Sequence, residues 1–413
     1  MEQTISTGEL TEKARRKIFG ETQHRLWPLQ AETLCARACR RTGLDDFGDL
    51  PLEPALSTLL NSLEEEANLH PLGRFLMYGH LLEILETRLR LIQAWRDQGE
   101  TLAASPIERP IFITGVPRSG STFLHELLVQ DPDNRSPRVW EVMFPLPAPE
   151  AGRNFRDPRV RRTAARLWWF RRLAPRVDKV YPMRACSPHE CVAIQSFTFL
   201  SEEFASTCRV YSYEAFLRST DRGPAYLWEK RFLQHLQSRR PTKRWVLKSP
   251  DHVYGLEELF SVFPDALIIQ THRDPVEVLS SDVQLTGVLQ SLYGRPASLD
   301  ERRVRATRSL VGMEEQCQQF RDLHPELADR FVDLDYPELV CDPVTAVRRI
   351  YRQFEIPLTE PTTARMQELA SSRSRYPIRR NLSLADLELS APPANGPGSS
   401  MKRDWRGSLA LNG

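Results

Sequence analysis

The sequence predicts an α/β protein of three layers, a central parallel sheet between helices, with a helical subdomain at its N-terminus. Three observations predict it. Ile111-Phe112-Ile113 is an apolar run too short for a helix and right for a buried parallel strand. Three later apolar runs, within 244–249, 266–271 and 330–336, alternate with helical patterns, as strands joined by right-handed crossovers do. The first hundred residues repeat apolar side chains every three or four positions and show no strand pattern.

The N-terminal region, residues 1–105, carries Ala31, Leu34, Ala38, then Leu56, Leu59, Leu60 and Leu63, then Leu81 to Ile92 on a long amphipathic helix. It holds no catalytic constellation and reads as a packing or dimerising subdomain. Glu2, Glu9 and Glu12 interrupt any signal-peptide core, and no run of eighteen apolar residues exists. The seven cysteines are odd in number and lack C-x-x-C spacing, which points to reduced thiols, a cytoplasmic location and no zinc site. A net charge of +2 sets up no strong field for nucleic acid.

The second region, residues 106–390, opens on the first strand. Gly115 and Gly120 bracket the loop after it, and Ser121-Thr122 begin a helix whose Phe123, Leu124, Leu127 and Leu128 repeat at helical spacing. Such a loop aims backbone N–H groups and a helix N-terminus at one spot, an anion site. The spacing is nearly that of the phosphate-binding P-loop, G-x-x-x-x-G-K-[ST], so the fold is P-loop-like. Ser121 stands where a nucleotide triphosphatase needs Lys, and the cation has moved into the loop as Arg118. His125, one turn into the helix, reads as structural.

A turn at 130–134, Trp140-Glu141 and a proline-rich connection follow. Residues 151–182 are strongly basic around Trp168, Trp169 and Phe170. They read as a helix whose aromatic side packs or lines an apolar substrate cavity, with a peripheral membrane-surface helix as the alternative. Ser187 or Pro188 starts another helix that carries His189 and Glu190. The later strands end in Lys248-Ser249 with His252 just beyond, in Arg273 with Ser281 eight residues on, and in Tyr336, followed by a helix capped by Asp342. Ligands in parallel sheets bind at the carboxyl ends of the strands, which gathers Arg118, Lys248, His252 and Arg273. Two phosphate clamps imply a ligand with phosphates at two ends. Residues 391–413 read as a flexible tail, with Lys402, Arg403 and Arg406 able to act as a lid.

In this order the motifs resemble the sulfotransferases that use 3′-phosphoadenosine 5′-phosphosulfate (PAPS), and within them the large, mostly bacterial group with a G-x-P-R-[ST]-G-[ST]-T loop. The resemblance covers most of residues 25–390. It implies that Gly115, Arg118, Ser119, Gly120, Ser121 and Thr122 hold the 5′-phosphosulfate. It implies that Arg273 and Ser281 clamp the 3′-phosphate, and that Tyr336 contacts the adenine. Lys248 and Arg118 would stabilise the transferring group in an in-line displacement on a hydroxyl or amine of a small-molecule or lipid-like acceptor, without a metal. The base that takes the acceptor's proton stays open among His252, Glu141 and the His189/Glu190 pair, because Pro250 occupies the position where related enzymes carry His. The alternative from another class is a P-loop kinase or nucleotide hydrolase, which needs Lys at 121 and a Mg²⁺-binding Asp at a strand end. A non-catalytic regulator that binds sulfate or 3′-phosphoadenosine 5′-phosphate (PAP) is the third.

Overall fold

The computed structural model describes residues 24, 26–99, 102, 105–152 and 156–373. The tail expected at 391–413, its basic cluster and the family-like segment after 381 lie outside those residues.

The chain divides into two compact units. The smaller takes the chain up to Asp97, then Ser196–Thr220 and Val288–Pro296. Its helices Ala31–Thr42, Ala55–Glu65 and Pro71–Gln98 lie where the apolar spacing predicts. The first stops at Gly43, whose left-handed φ of 71° lets its N–H reach the Cys39 carbonyl. The long helix is not amphipathic, as its spacing suggested, because it buries polar residues beside apolar ones. Arg88 lies fully inside, and its guanidinium donates to the carbonyls of Phe47 and Phe197 at 2.8 Å and to that of Leu50. Residues 196–220 and 288–296 return to this unit from within the span 106–390.

The larger unit is built on five parallel strands: β1 (Ile111–Gly115), β2 (Asn134–Arg135), β3 (Arg244–Lys248), β4 (Leu267–His272) and β5 (Phe331–Asp335). Their order is β2-β3-β1-β4-β5. β1, β3 and β4 are buried along their length apart from the half-buried end of β4, as befits strands covered on both faces. Ile111, Ile113, Val246, Leu267 and Ile269 point to one side and pack with Leu124, Leu127 and Leu128 of the Ser121–Leu128 helix. Each such side chain contributes roughly 1.5–3 kcal/mol by leaving water. Phe112 packs with His252 and Phe263. β2 was legible only as a turn, since two residues carry no periodicity.

The Pro343–Gln353 helix starts as expected, with the Asp342 side chain accepting from the Thr345 N–H at 3.0 Å. The basic stretch forms helices Pro158–Leu173 and Pro175–Val180. Its tryptophans do not pack inward: Thr163 and Leu167 fill the buried side, and Trp168 and Trp169 stay 45% and 62% exposed. Among the described residues no helix is long and apolar enough to cross a membrane.

Candidate active site

Strand register fixes the site. Gly115 pairs with Thr271 and Ile113 with Lys248, so the β1 loop, Lys248 and the end of β4 lie side by side at the carboxyl edge. Gly115 has φ 109°, and a Cβ there would lie 2.4 Å from the Thr271 carbonyl oxygen. Gly120, at φ 87°, would put a Cβ 2.9 Å from the Tyr336 ring. Both glycines are therefore demanded by close approach as well as by backbone angle.

Between them, Arg118 adopts a left-handed φ of 63°. Its Nε donates to Ser281 Oγ at 2.9 Å. Arg273 donates to the Arg118 carbonyl at 2.8 Å, pairs with Glu277 and lies 4.1 Å from the Tyr336 ring centre. The two expected clamps thus meet through Arg118 and Ser281, and Arg118, Arg273, Ser281 and Tyr336 form one cluster. Burial and the neighbouring Arg273 lower the Arg118 pKa, against the pull of Asp282. Ser119 is fully buried; its hydroxyl donates to the Val116 carbonyl at 2.6 Å and lies 2.6 Å from the Thr271 hydroxyl, which donates to Thr114. It shapes the loop from beneath. Ser121 and Thr122 open the helix, Ser121 nearly buried and Thr122 exposed.

Lys248 is buried at the end of β3. Its Nζ donates to Thr122 Oγ1 at 3.5 Å and is ion-paired with Glu190. Glu190 also accepts from the Tyr181 hydroxyl at 2.8 Å. Burial would raise the Glu190 pKa, but the Lys248 charge and the hydrogen bonds from Lys248 and Tyr181 outweigh it and hold the carboxylate below its usual range. The helix expected at Ser187 begins only at Val192. The reason is that the preceding donors are used elsewhere: the His189 N–H goes to the Pro137 carbonyl at 2.8 Å and the Cys191 N–H to the Lys248 carbonyl at 3.0 Å. That extended pairing brings Glu190 to Lys248.

Two of the other candidate bases, Glu141 and His252, are enclosed in the interior. Glu141 is fully buried; it pairs with Arg135 at 3.0 Å and accepts from the Arg138 N–H at 2.9 Å, a helix-capping arrangement. His252 is enclosed beside Phe112, with Nδ1 3.0 Å from the Tyr226 hydroxyl, and desolvation and the charge of Arg222 push its pKa down to about 3. The ring belongs to a buried cluster with Cys191 and Glu229; burial raises Glu229 to about 7. His189 is half-buried next to Glu190. His125 is buried, with Nε2 3.1 Å from the Val246 carbonyl and 2.7 Å from the Ser136 hydroxyl. Sequence reasoning missed Tyr181, Tyr226 and Glu229. None belongs to a motif, and each is defined by its partner across space.

A glycine-bracketed loop at the carboxyl edge of a parallel sheet, with Arg118 in it and Lys248 and Arg273 against it, defines an α/β protein of the phosphate-loop class. Residues 110–360 match the model of the sulfotransferase family, and the chain belongs to that family. It is similar to the omega-hydroxy-beta-dihydromenaquinone-9 sulfotransferase Stf3 of Mycobacterium bovis and of Mycobacterium tuberculosis. Each is 28% identical over 301 residues, 68% of this chain and 71% of theirs. Among solved structures it resembles sulfotransferase STF1 from Mycobacterium tuberculosis H37Rv, with TM-score 0.76 and 29% identity over 87% of this chain and 96% of that one. It also resembles sulfotransferase STF9 from Mycobacterium avium, with TM-score 0.75 and 28% identity over 87% and 94%. The chain is a sulfotransferase enzyme, one that moves a sulfuryl group to an acceptor.

Proposed function

We propose that the chain takes the sulfuryl group from PAPS and places it on a hydroxyl of an extended, lipid-like acceptor, with Glu190 as the base. The Lys248–Glu190 contact beside Thr122 carries the reading. It puts a cation and an ionised carboxylate at the mouth of the anion loop, where the transferring group and the acceptor oxygen must meet. The loop N–H groups from Gly115 to Thr122, with Arg118, hold the 5′ end. Arg273 and Ser281 hold the 3′-phosphate, and Tyr336, already beneath the Arg273 guanidinium, faces the adenine. The acceptor oxygen forms its bond to sulfur as the bond from sulfur to the 5′-phosphate oxygen breaks. The electron pair leaves on that phosphate, giving PAP, and the acceptor proton passes to Glu190. Arg118 and Lys248 balance the charge that develops on the bridging oxygen, so the reading assigns no metal. The lipid-like acceptor is supported by the substrate named for the mycobacterial Stf3 relatives. Glu141 and His252 are structural in this reading, one as the partner of a buried arginine and the other as an enclosed ring held by the Tyr226 hydroxyl.

Calorimetric titration with PAP, against ATP with Mg²⁺, tests the donor. PAP binds selectively, and Arg273→Ala weakens it by about 10–100-fold, the loss of a charge-assisted phosphate contact. Binding of ATP–Mg²⁺ without a response to PAP would return the chain to the P-loop kinases.

A further inference from the structure

Residues 158–180 hold seven arginines and one lysine against a single aspartate, Asp178, in a chain whose net charge is only +2. That aspartate is taken by Arg171 at 2.9 Å. The inner side of the Pro158–Leu173 helix is fastened without the tryptophans: Asp157 caps it, the Arg159 guanidinium lies 4.7 Å from the Trp140 ring centre, and Arg162 lies 4.1 Å from that of Phe144. The outer side is exposed and carries Trp168 and Trp169 among Arg161, Arg166 and Arg172. The two indoles meet edge to face at 4.8 Å, and Arg172 covers Trp168 at 4.3 Å.

We infer that this face docks on the surface of an anionic lipid bilayer. Two adjacent exposed indoles are costly in water and favoured at the headgroup level, where the ring is half-buried and its N–H stays wet. Arginines around them carry the charge complementary to anionic headgroups, and an interfacial helix has this composition, aromatic residues within a basic polar face. The position also serves the reaction. The next residue after the Pro175–Val180 helix is Tyr181, whose hydroxyl donates to Glu190. One short stretch of chain thus joins the Trp168–Trp169 face to the hydroxyl partner of the proposed base, and the proposal extends to delivery of a lipid hydroxyl from the bilayer to that base. That delivery rests on the lipid-acceptor reading above; the docking does not.

The test is co-sedimentation of the full chain with vesicles of phosphatidylglycerol and phosphatidylcholine in equal parts, and with phosphatidylcholine alone. Turnover is followed with a short, water-soluble hydroxyl acceptor and with a long-chain alcohol embedded in the vesicles. The protein is expected to sediment with the anionic vesicles only, and to be released as salt screens the arginines. Trp168→Ala/Trp169→Ala should weaken vesicle affinity by about tenfold or more while turnover of the soluble acceptor is unchanged. Wild-type protein that ignores anionic vesicles, or a double variant that binds them equally well, overturns the docking. A double variant that changes the oligomeric state but not vesicle binding also overturns it and makes the face a contact between copies. Vesicle binding without turnover of any long-chain alcohol leaves the docking standing and removes the lipid-acceptor reading instead.

Discussion

At the scale of the residue, identical side chains do different work according to what folds against them. Glu141 and Glu190 are both carboxylates that follow the first loop in sequence, yet one faces Arg135 in the interior and the other faces Lys248 and Tyr181. Glu190→Gln removes the proposed base and keeps the shape, so kcat should fall by about 10²–10⁴ while PAP affinity stays within a few-fold. Single-turnover kinetics beside a PAP titration would show it, and full turnover in that variant would end the assignment. Glu141→Gln should do the reverse. It leaves the buried Arg135 short of its partner, which costs about 3–5 kcal/mol of stability in a urea melt. Turnover per folded molecule should change little. His252 gives no pH dependence above pH 5, because its ring is already neutral there.

At the scale of the element, the joint between β4 and β5 holds the strand end that presents Arg273. His272 pairs in register with Asp335, and its Nε2 lies 2.8 Å from Asp333 on the same strand, which Arg321 also engages at 2.8 Å. Burial alone would lower the His272 pKa, but hydrogen bonds to Asp333 and Glu314 raise it to about 9. The folded value therefore lies above the unfolded value of about 6.5. The contribution to stability is complete below about pH 6.5 and is lost as pH rises through about 9. Allowing for the exposure of Asp333, it amounts to on the order of 2 kcal/mol. Chemical denaturation at pH 6 and pH 10 should show wild type losing about that much more than His272→Gln. Parallel curves for the two proteins would mean that the joint is held by backbone pairing and Arg321 alone.

At the scale of the whole molecule, every residue assigned to the donor and to the reaction lies in the larger unit. PAP that binds the folded unit and not the unfolded chain should stabilise it by about 2.7 kcal/mol at a hundred times Kd. That raises the midpoint of its thermal transition by about 5 °C for a unit of this size. Arg273→Ala should need a correspondingly higher PAP concentration for the same shift. If the two units unfold in separate steps, only the step belonging to the larger one should move. A calorimetric scan in which PAP shifts neither step would contradict the placement of the donor site.

What the chain determined by itself is what depends on near neighbours in sequence. The strand, the Gly115–Gly120 loop and the helix after it form within twenty residues, and each rests on a local rule: an apolar run, two glycines and helical spacing. The sulfotransferase family was legible from that loop together with Lys248, Arg273 and Tyr336, because motif order survives without coordinates. Only the tertiary structure decided which acids and histidines are enclosed, where Trp168 and Trp169 point, and that residues 187–191 pair with Pro137 and Lys248 instead of opening a helix. Several of those outcomes depend on partners about fifty or more residues away, such as Lys248 for Glu190 and Pro137 for His189. The chain's spacing contains no trace of them, since desolvation and ion pairing act through distance in space.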